Sequence, residues 1–264
     1  MFNDWFSIGP FTVHGYGVMI AIGILVAFYV AEKLAGKNGL SKSHVDNLVF
    51  TVLIAGYLVS KLTYVLVNFE AFLKDPMTVL GSSGWVVMGG LIGGILGAYI
   101  YAKINKIDFF AYFNLFMPSV ALAQAFGRIG CFFAGCCYGA ETTSKFSLVF
   151  PKGSLAPSGV HLIPTQLISS FGDFVLFVIL YKIYTNEDTK KETSAWYLIL
   201  YSIGRFLVEF LRGDIERGTI GNLSTSQFLS VFTLLIGVIY LIKIRKNKVG
   251  NKKWKSESQM ITQH

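Results

Sequence analysis

The stretch LFMPSVALAQAFGRIGCFFAGCCYG, residues 115–139, is the part of the sequence from which both a fold and a site can be predicted. Its first half, 115–126, is an apolar run that predicts a membrane helix. Its second half places Arg128, four glycines and all three cysteines of the chain where that helix should leave the hydrocarbon. A charge close to the bilayer interior costs roughly 2.5–3.5 kcal/mol, so Arg128 needs a partner or an anion. Glycine at this density lets a ligand or another backbone approach closely. The search for a functional site therefore starts here.

The composition is typical of a helical membrane protein. Of the 264 residues, 53% are hydrophobic and only 14% are charged, and the mean hydropathy is +0.55. Charged residues make up about a quarter of an average soluble domain. Several apolar runs approach the ~20 residues that a helix needs to span a bilayer. We therefore predict an all-α polytopic membrane protein.

Seven apolar segments predict about seven transmembrane helices. They cover roughly residues 14–34, 45–67, 84–103, 110–128, 166–185, 194–211 and 224–244. We expect one transmembrane domain over residues 1–244 and a basic cytoplasmic tail over 245–264. Residues 1–11 lack the basic start and the small-residue cleavage site of a signal peptide, so the first helix should remain as an anchor.

Lysine and arginine are distributed unevenly between the predicted connections, which predicts the orientation. Connections one, three and five carry Lys37, Lys42, Lys103, Lys106, Lys190 and Lys191, and the tail carries the densest basic run. The positive-inside rule then places the N-terminus outside and the C-terminus in the cytoplasm, as an odd number of spans requires. The net charge of +8 is thereby interpreted as a topology signal, and nucleic acid is not an expected partner.

The longest connection, near residues 129–165, then lies outside the cytoplasm. Its three prolines, at 151, 157 and 164, exclude a continuous helix. Residues 146–150 could form one short strand at most. Loops of this length tend to serve as lids or substrate arms.

Three basic residues lie inside or at the edge of apolar segments: Lys61, Arg128 and Arg205. Lys61 can snorkel or pair with a carboxylate. Arg205 has Glu209 at i+4, with Arg212 three residues beyond, so an internal salt bridge is one interpretation. The other is that Arg128 and Arg205 converge on a phosphate, which a planar guanidinium binds bidentately. In a membrane the natural phosphate is a phospholipid head group.

Glycines, cysteines and histidines leave further alternatives open. The glycines of residues 89–97 recur every four residues, which indicates close helix packing or a smooth wall for acyl chains. The C-x4-C-C spacing fits no standard zinc pattern. A disulfide, buried packing or a nucleophilic thiol beside Arg128 are the other interpretations. His14, at the start of the first helix, and His161 are the histidines considered as bases.

The ordered set of motifs resembles the prolipoprotein diacylglyceryl transferases of the bacterial inner membrane, from residue 8 to residue 237. The matching stretches are Ile8–Met19, Gly89–Gly93, Gly127–Gly130 with Gly135 and Gly139, Pro164–Leu167, and Tyr201–Arg212. The resemblance implies a multi-pass protein of the cytoplasmic (inner) membrane. Such an enzyme transfers a diacylglyceryl group from phosphatidylglycerol, or another glycerophospholipid, to the lipobox cysteine of a preprolipoprotein and releases glycerol-1-phosphate. It implies no metal and no organic cofactor.

The implied reaction is a displacement at carbon by a thiolate, with a phosphate as the leaving group. Predicted catalytic residues are Arg128 and Arg205, which would bind the phosphate and stabilise its charge, and Glu209 and His14, which would help to deprotonate the thiol. The predicted substrate-binding residues are Tyr16, Gly89, Gly90, Asn114, Gly127, Gly130, Cys131, Gly139, Gln166, Tyr201 and Arg212. No metal ligand is predicted.

The sequence also departs from the family pattern. Met88 and Ile163 stand where the family usually has histidines, and Lys61 stands where it has an arginine. Cys131, Ala134 and Cys136 replace the asparagines and the acidic residue of the family signature. A divergent member or paralogue is therefore expected. Two alternatives remain. One is a transferase of the same fold that uses another acceptor and works through a covalent intermediate on one of its own cysteines. The other is a non-catalytic lipid-binding or transport protein.

Overall fold

The computed structural model describes residues 3–9, 11–82, 84–214, 218–221 and 223–261, and the fold over these ranges is mostly helical. The α-helices are α1 (Gly15–Lys37), α2 (Lys42–Val67), α3 (Phe69–Lys74), α4 (Pro76–Gly81), α5 (Val87–Ile104), α6 (Phe109–Ala134), α7 (Thr165–Thr185), α8 (Thr193–Glu209) and α9 (Thr225–Ile261). Short strands form three antiparallel pairs: β1 (Asp4–Ile8) with β2 (Phe11–His14), β3 (Leu148–Val149) with β4 (His161–Leu162), and β5 (Thr219–Ile220) with β6 (Leu223–Ser224).

Each of the seven predicted segments is a helix, namely α1, α2 and α5 to α9. Six are long and apolar enough to cross a membrane: α1, α2, α5, α6, α7 and the part of α9 up to Lys248. Helix α8 has 17 residues. Large apolar side chains such as Leu25, Phe50 and Phe171 are exposed on these helices, which suits contact with lipid rather than water. The predicted boundary between residues 244 and 245 falls within α9 and stays a prediction.

Local structure differs from the sequence-based expectation in several places. Helix α6 does not end near residue 128 but continues to Ala134, so the long connection covers 135–164. Residues 146–150 contain one short strand, β3, as expected, but its partner strand β4 was not predicted. The N-terminal hairpin β1–β2 and the helices α3 and α4 were not predicted at all, because short elements carry little periodicity.

The chain divides into two compact units, and the smaller one comprises Ala31–Phe113. In this unit α5 packs on α2 through its glycines: a Cβ on Gly93 would lie 2.5 Å from Val59 Cβ and 2.7 Å from the carbonyl oxygen of Ala55. Lys61 donates to the carbonyl oxygen of Ser82 at 2.7 Å and lies over the Trp85 ring. Its partners are therefore a carbonyl group and an aromatic ring rather than the carboxylate considered from the sequence.

The larger unit comprises Met1–Val30 and Asn114–His264. Side-chain hydrogen bonds join its helices: Ser170 on α7 donates to the carbonyl oxygen of Ala125 on α6 at 2.9 Å, and Tyr197 on α8 donates to Gln124 on α6 at 3.1 Å. Such bonds hold membrane helices together where hydrophobic burial gives little driving force. This unit holds most of the predicted site residues.

Candidate active site

The end of α6 is a Schellman motif that explains how the cysteines meet. Gly135 has φ +75°. Its N–H donates to the carbonyl oxygen of Phe132 at 3.3 Å, and the N–H of Cys136 donates to the carbonyl oxygen of Cys131 at 3.2 Å. In this motif the second residue after the helix folds back over the residue five positions earlier. Cys136 is consequently returned to Cys131, which lies inside α6 and not beyond its end.

Cys137 completes a cluster of three thiols. Its φ of +62° is in the left-handed region, which side-chain-bearing residues rarely adopt. The sulfurs of Cys131, Cys136 and Cys137 all lie within 4.8 Å of one another, and none is in a disulfide. The first turn of α7 holds this segment, because Thr165 donates to the carbonyl oxygen of Cys137 at 2.7 Å and Gln166 to that of Cys136 at 2.8 Å.

The thiols beyond the helix end differ in acidity. Hydrogen bonds with the Cys131 and Cys136 thiols, together with the charges of Arg212 and Arg128, lower the pKa of Cys137. The pKa of Cys136 is raised by its hydrogen bonds with the same two neighbouring thiols and by burial. Of these two thiols, the surroundings therefore favour the ionised form of Cys137 and disfavour that of Cys136.

Arg128 lies six residues before the end of α6 and is partly buried. Across the described ranges of the chain it forms no hydrogen bond and no ion pair. Its charge acts instead on Tyr201, Cys131 and Asp173. A Cβ added to the neighbouring Gly127 would meet nothing within 4 Å, so packing does not require glycine there. The Arg128 side chain is thus partly buried without a hydrogen-bond partner among the described residues.

Arg205 is in the opposite situation. Its Nη1 lies 2.6 Å from Oε2 of Glu209, and the two side chains are 14% and 7% exposed. Its Nη2 donates to Ser226 on α9 at 2.6 Å. The i+4 salt bridge considered from the sequence is therefore formed. Arg128 and Arg205 share no hydrogen-bond or ion-pair partner in the part of the chain that the structure describes, and their convergence on one anion stays a prediction.

Arg212 lies beyond the end of α8 and pairs with Asp214 rather than with Glu209. Its Nε and Nη2 donate to the two carboxylate oxygens at 2.9 and 2.7 Å. The backbone of Arg212 bridges to Gly139, where a Cβ would lie 2.5 Å from the carbonyl oxygen of Ile163. Gly139 is thus needed for close packing of three backbone segments. Arg212 is held near Cys137, on which both Arg212 and Arg128 act electrostatically.

The N-terminal hairpin lies against the same end of α6. The Trp5 and Phe133 rings meet edge to face at 5.5 Å, and a Cβ on Gly130 would lie 3.1 Å from the carbonyl oxygen of Tyr16. His14 Nδ1 lies 2.6 Å from Asp4 Oδ1, with both side chains exposed. Tyr16 interacts electrostatically with Arg128 and the three cysteines. The hairpin therefore brings His14 and Tyr16 to the side of the site.

Besides Arg205 and Glu209, three predicted site residues are not brought to this site. Asn114 is 4% exposed, accepts hydrogen bonds from Ser194, and lies 14 residues before Arg128, about 21 Å along the helix. Gly89 and Gly90 belong to the other unit, where Gly89 packs against Thr63 and Gly90 faces the carbonyl oxygen of Gly56. Close helix packing, the first interpretation of these glycines, explains Gly89, whereas a Cβ on Gly90 would make only an ordinary contact at 3.5 Å. Their roles in substrate binding stay predictions.

Asp173 was missed by the sequence analysis. It is 7% exposed on α7 and interacts electrostatically with Arg128, and no hydrogen bond or ion pair of its side chain is found among the described residues. A carboxylate within the predicted segment 166–185 was itself a signal, because ionisable residues in membrane helices are rare and functional by default. Asp173 is thus a buried carboxyl group within electrostatic range of Arg128.

Comparison with known proteins agrees with this geometry. A family model described as prolipoprotein diacylglyceryl transferase matches residues 3–243. The phosphatidylglycerol–prolipoprotein diacylglyceryl transferase of Clostridium tetani is 42% identical over 235 residues, 88% of this chain and 94% of the relative. Transferase 2 of the same name from Clostridium perfringens is 43% identical over 89% of this chain and 92% of the relative. The transferase of Bacillus cytotoxicus is 32% identical over 94% of this chain and 93% of the relative. With a match of this extent, the chain belongs to the prolipoprotein diacylglyceryl transferase family.

Proposed function

We propose that this membrane protein transfers a diacylglyceryl group from phosphatidylglycerol to the lipobox cysteine thiol of a preprolipoprotein, in the bacterial cytoplasmic (inner) membrane. The acceptor sulfur forms a bond to a glyceryl carbon, the bond from that carbon to the phosphate oxygen breaks, and glycerol-1-phosphate leaves. The names of the relatives, which specify phosphatidylglycerol and prolipoprotein, support this donor and this acceptor.

The observation that carries the proposal is the guanidinium of Arg128, which interacts electrostatically with Asp173 but forms no hydrogen bond or ion pair with any described residue. A cation that is removed from water without a partner is costly, and a lipid phosphate would supply the missing partner. The charge of a departing phosphate grows as the carbon–oxygen bond breaks. A guanidinium already in place stabilises that charge without reorganisation.

We assign the thiol proton to His14 rather than to Glu209. Glu209 is buried in its ion pair with Arg205, so its carboxylate is occupied. His14 is exposed, and its contact with Asp4 at 2.6 Å orients the ring and would stabilise the imidazolium that forms when the neutral ring accepts a proton, as in other carboxylate–histidine pairs. Position 88, the usual histidine of the family, is methionine in this chain, which leaves the role to another base.

The experiment is a transfer assay with purified full-length protein, phosphatidylglycerol vesicles and a lipobox peptide. Release of glycerol phosphate and the mass gain of the peptide are measured together. We expect Arg128→Gln to lower kcat by about 100-fold to 1,000-fold, as removal of a group that stabilises developing charge does. Arg128→Lys should recover only part of the activity, because an ammonium cannot bind two phosphate oxygens in a planar fork. His14→Gln should cost about 100-fold or more.

Matched controls are Lys145→Gln, which removes an exposed positive charge from the connection after α6, and His161→Gln, which removes a histidine bonded to Ser147. Both should retain wild-type activity. Glycerol phosphate release without modification of the peptide would point to a different acceptor. Lipid binding without release of glycerol phosphate by the wild-type protein would reject the transferase assignment.

A further inference from the structure

The cluster of Cys131, Cys136 and Cys137 has the size of a metal site. With metal–sulfur bonds of about 2.3 Å, a tetrahedral ion holds its sulfur ligands roughly 3.8 Å apart. The three sulfurs already lie within 4.8 Å of one another, so each pair needs to approach by no more than about 1 Å. No further cysteine exists in the chain, and the whole thiol content of the protein is therefore collected at one point.

The backbone around the cluster is built to keep the three side chains together. The Schellman motif at Gly135 returns Cys136 to Cys131, and the left-handed conformation of Cys137 brings in a thiol from the adjacent residue. Adjacent cysteines in an extended segment would point in opposite directions, which this turn avoids. Thr165 and Gln166 fix both carbonyl groups of this turn, and Gln166 is almost fully buried.

Charge at the cluster favours a divalent ion. Three thiolates carry −3, so a divalent ion leaves −1. Two cations are at hand to balance it: Arg212 and Arg128 both act electrostatically on Cys137. Nearby cations favour the thiolate form that a metal requires. Softness of the ligands selects thiophilic ions over magnesium or calcium, which prefer oxygen.

We propose that Cys131, Cys136 and Cys137 bind one soft divalent d10 ion of the zinc class through three thiolates, with the three thiol protons released to water. Three protein ligands leave the fourth tetrahedral position to water or to another added ligand, as in catalytic rather than structural zinc sites. The ion would join the last turn of α6 to the segment that follows it. The site does not depend on the transferase activity and departs from the expectation that no metal is bound.

The test uses full-length reduced protein in detergent, stripped with a chelator and titrated anaerobically with Zn²⁺ against a chromophoric competitor. We expect one zinc per chain and protection of all three thiols from alkylation. Cys131→Ser, Cys136→Ser and Cys137→Ser should each weaken binding by at least about tenfold, since even changes beyond the direct ligands cost 10–100-fold. Thr143→Ala, an exposed change in the connection that follows α6, should leave the affinity unaltered.

X-ray absorption of the zinc-loaded wild-type protein keeps the test valid if a cysteine variant fails to fold. Three sulfur neighbours at about 2.3 Å are expected. A zinc shell made of nitrogen and oxygen alone, less than one equivalent bound, or unchanged affinity in all three serine variants would overturn the proposal. A disulfide between two of these cysteines in protein taken from cells, with zinc bound only after reduction, would also overturn it.

Discussion

Two arginines in neighbouring helices show how much the immediate partners of a side chain decide. Arg205 has a carboxylate at i+4 and a serine on α9, so its charge is neutralised within the protein. Arg128 has a buried carboxylate, Asp173, within electrostatic range and no hydrogen bond among the described residues. Both helices place an arginine in an apolar run. The two arginines differ in their partners because only Arg205 has a carboxylate one helical turn away on its own helix.

Glu209 tests whether the Arg205 pair serves structure or chemistry. Glu209→Gln should destabilise the protein by about 3–5 kcal/mol, because it leaves a guanidinium that is only 14% exposed without its counter-ion. The double variant Arg205→Met with Glu209→Leu should restore most of that stability, since an apolar pair can replace a buried ion pair at little cost. Thermal unfolding in detergent measures both effects.

The transfer assay on the double variant then separates the two roles. We expect activity within about tenfold of wild type, a far smaller loss than for a residue that stabilises the developing charge on phosphate. A double variant that is as stable as wild type yet loses turnover to the extent of Arg128→Gln would show that Arg205 or Glu209 takes part in the chemistry.

At the residue level, the sequence predicted the contacts set by helical spacing and missed those set by turns. The pair of Arg205 with Glu209 follows from the i, i+4 rule. The clustering of the cysteines does not, because it depends on where α6 ends and on the positive φ of Cys137. Gly135 was treated as one of several glycines, although a glycine just after the last residue of a helix is the usual sign of this turn.

At the scale of elements, the packing of α5 on α2 depends on which glycines face the neighbouring backbone. Gly93→Ala should destabilise the protein by about 1–3 kcal/mol, the usual cost of overpacking, because its Cβ would lie 2.7 Å from the carbonyl oxygen of Ala55. Gly90→Ala is the matched control in the same helix. Its Cβ would lie 3.5 Å from its nearest neighbours, so stability should be unchanged or slightly higher. Thermal unfolding of the two variants, side by side, makes the comparison; equal losses would contradict it.

Long helices were predictable because seven apolar runs leave few other structures open in a membrane. Their ends were less so. The extension of α6 to Ala134 adds residues 129–134 to the helix, and a window tuned to bilayer thickness stops at Arg128, since a charge and two glycines lower the hydropathy. The hairpin β1–β2 and the strands β3 and β4 depend on pairing with distant residues, which local sequence does not encode.

At the scale of the whole chain, contacts within the larger unit agree with the predicted orientation. Arg245 on α9 pairs with Glu192 at 2.9 Å, and Lys248 contacts Asp188 at 3.4 Å. The start of the basic tail and the connection between α7 and α8 therefore lie at one end. The N-terminal hairpin contacts the last turn of α6 through Trp5 and Phe133, at the other end of that helix. The positive-inside rule assigns the first end to the cytoplasm.

Fusions of reporter proteins at these connections test the orientation. Alkaline phosphatase, which is active only outside the cytoplasm, should be active when fused after Lys145 or Lys74 and inactive when fused after Lys191. A fluorescent reporter that folds only in the cytoplasm should give the reverse pattern at the same three positions. The reason is that lysines flank the cytoplasmic ends of the helices far more densely than the outer ends, and each resists transfer across the membrane. Phosphatase activity at Lys191 with none at Lys145 would invert the topology and would place the Arg128 site on the cytoplasmic side, where an exported lipobox cysteine could not reach it.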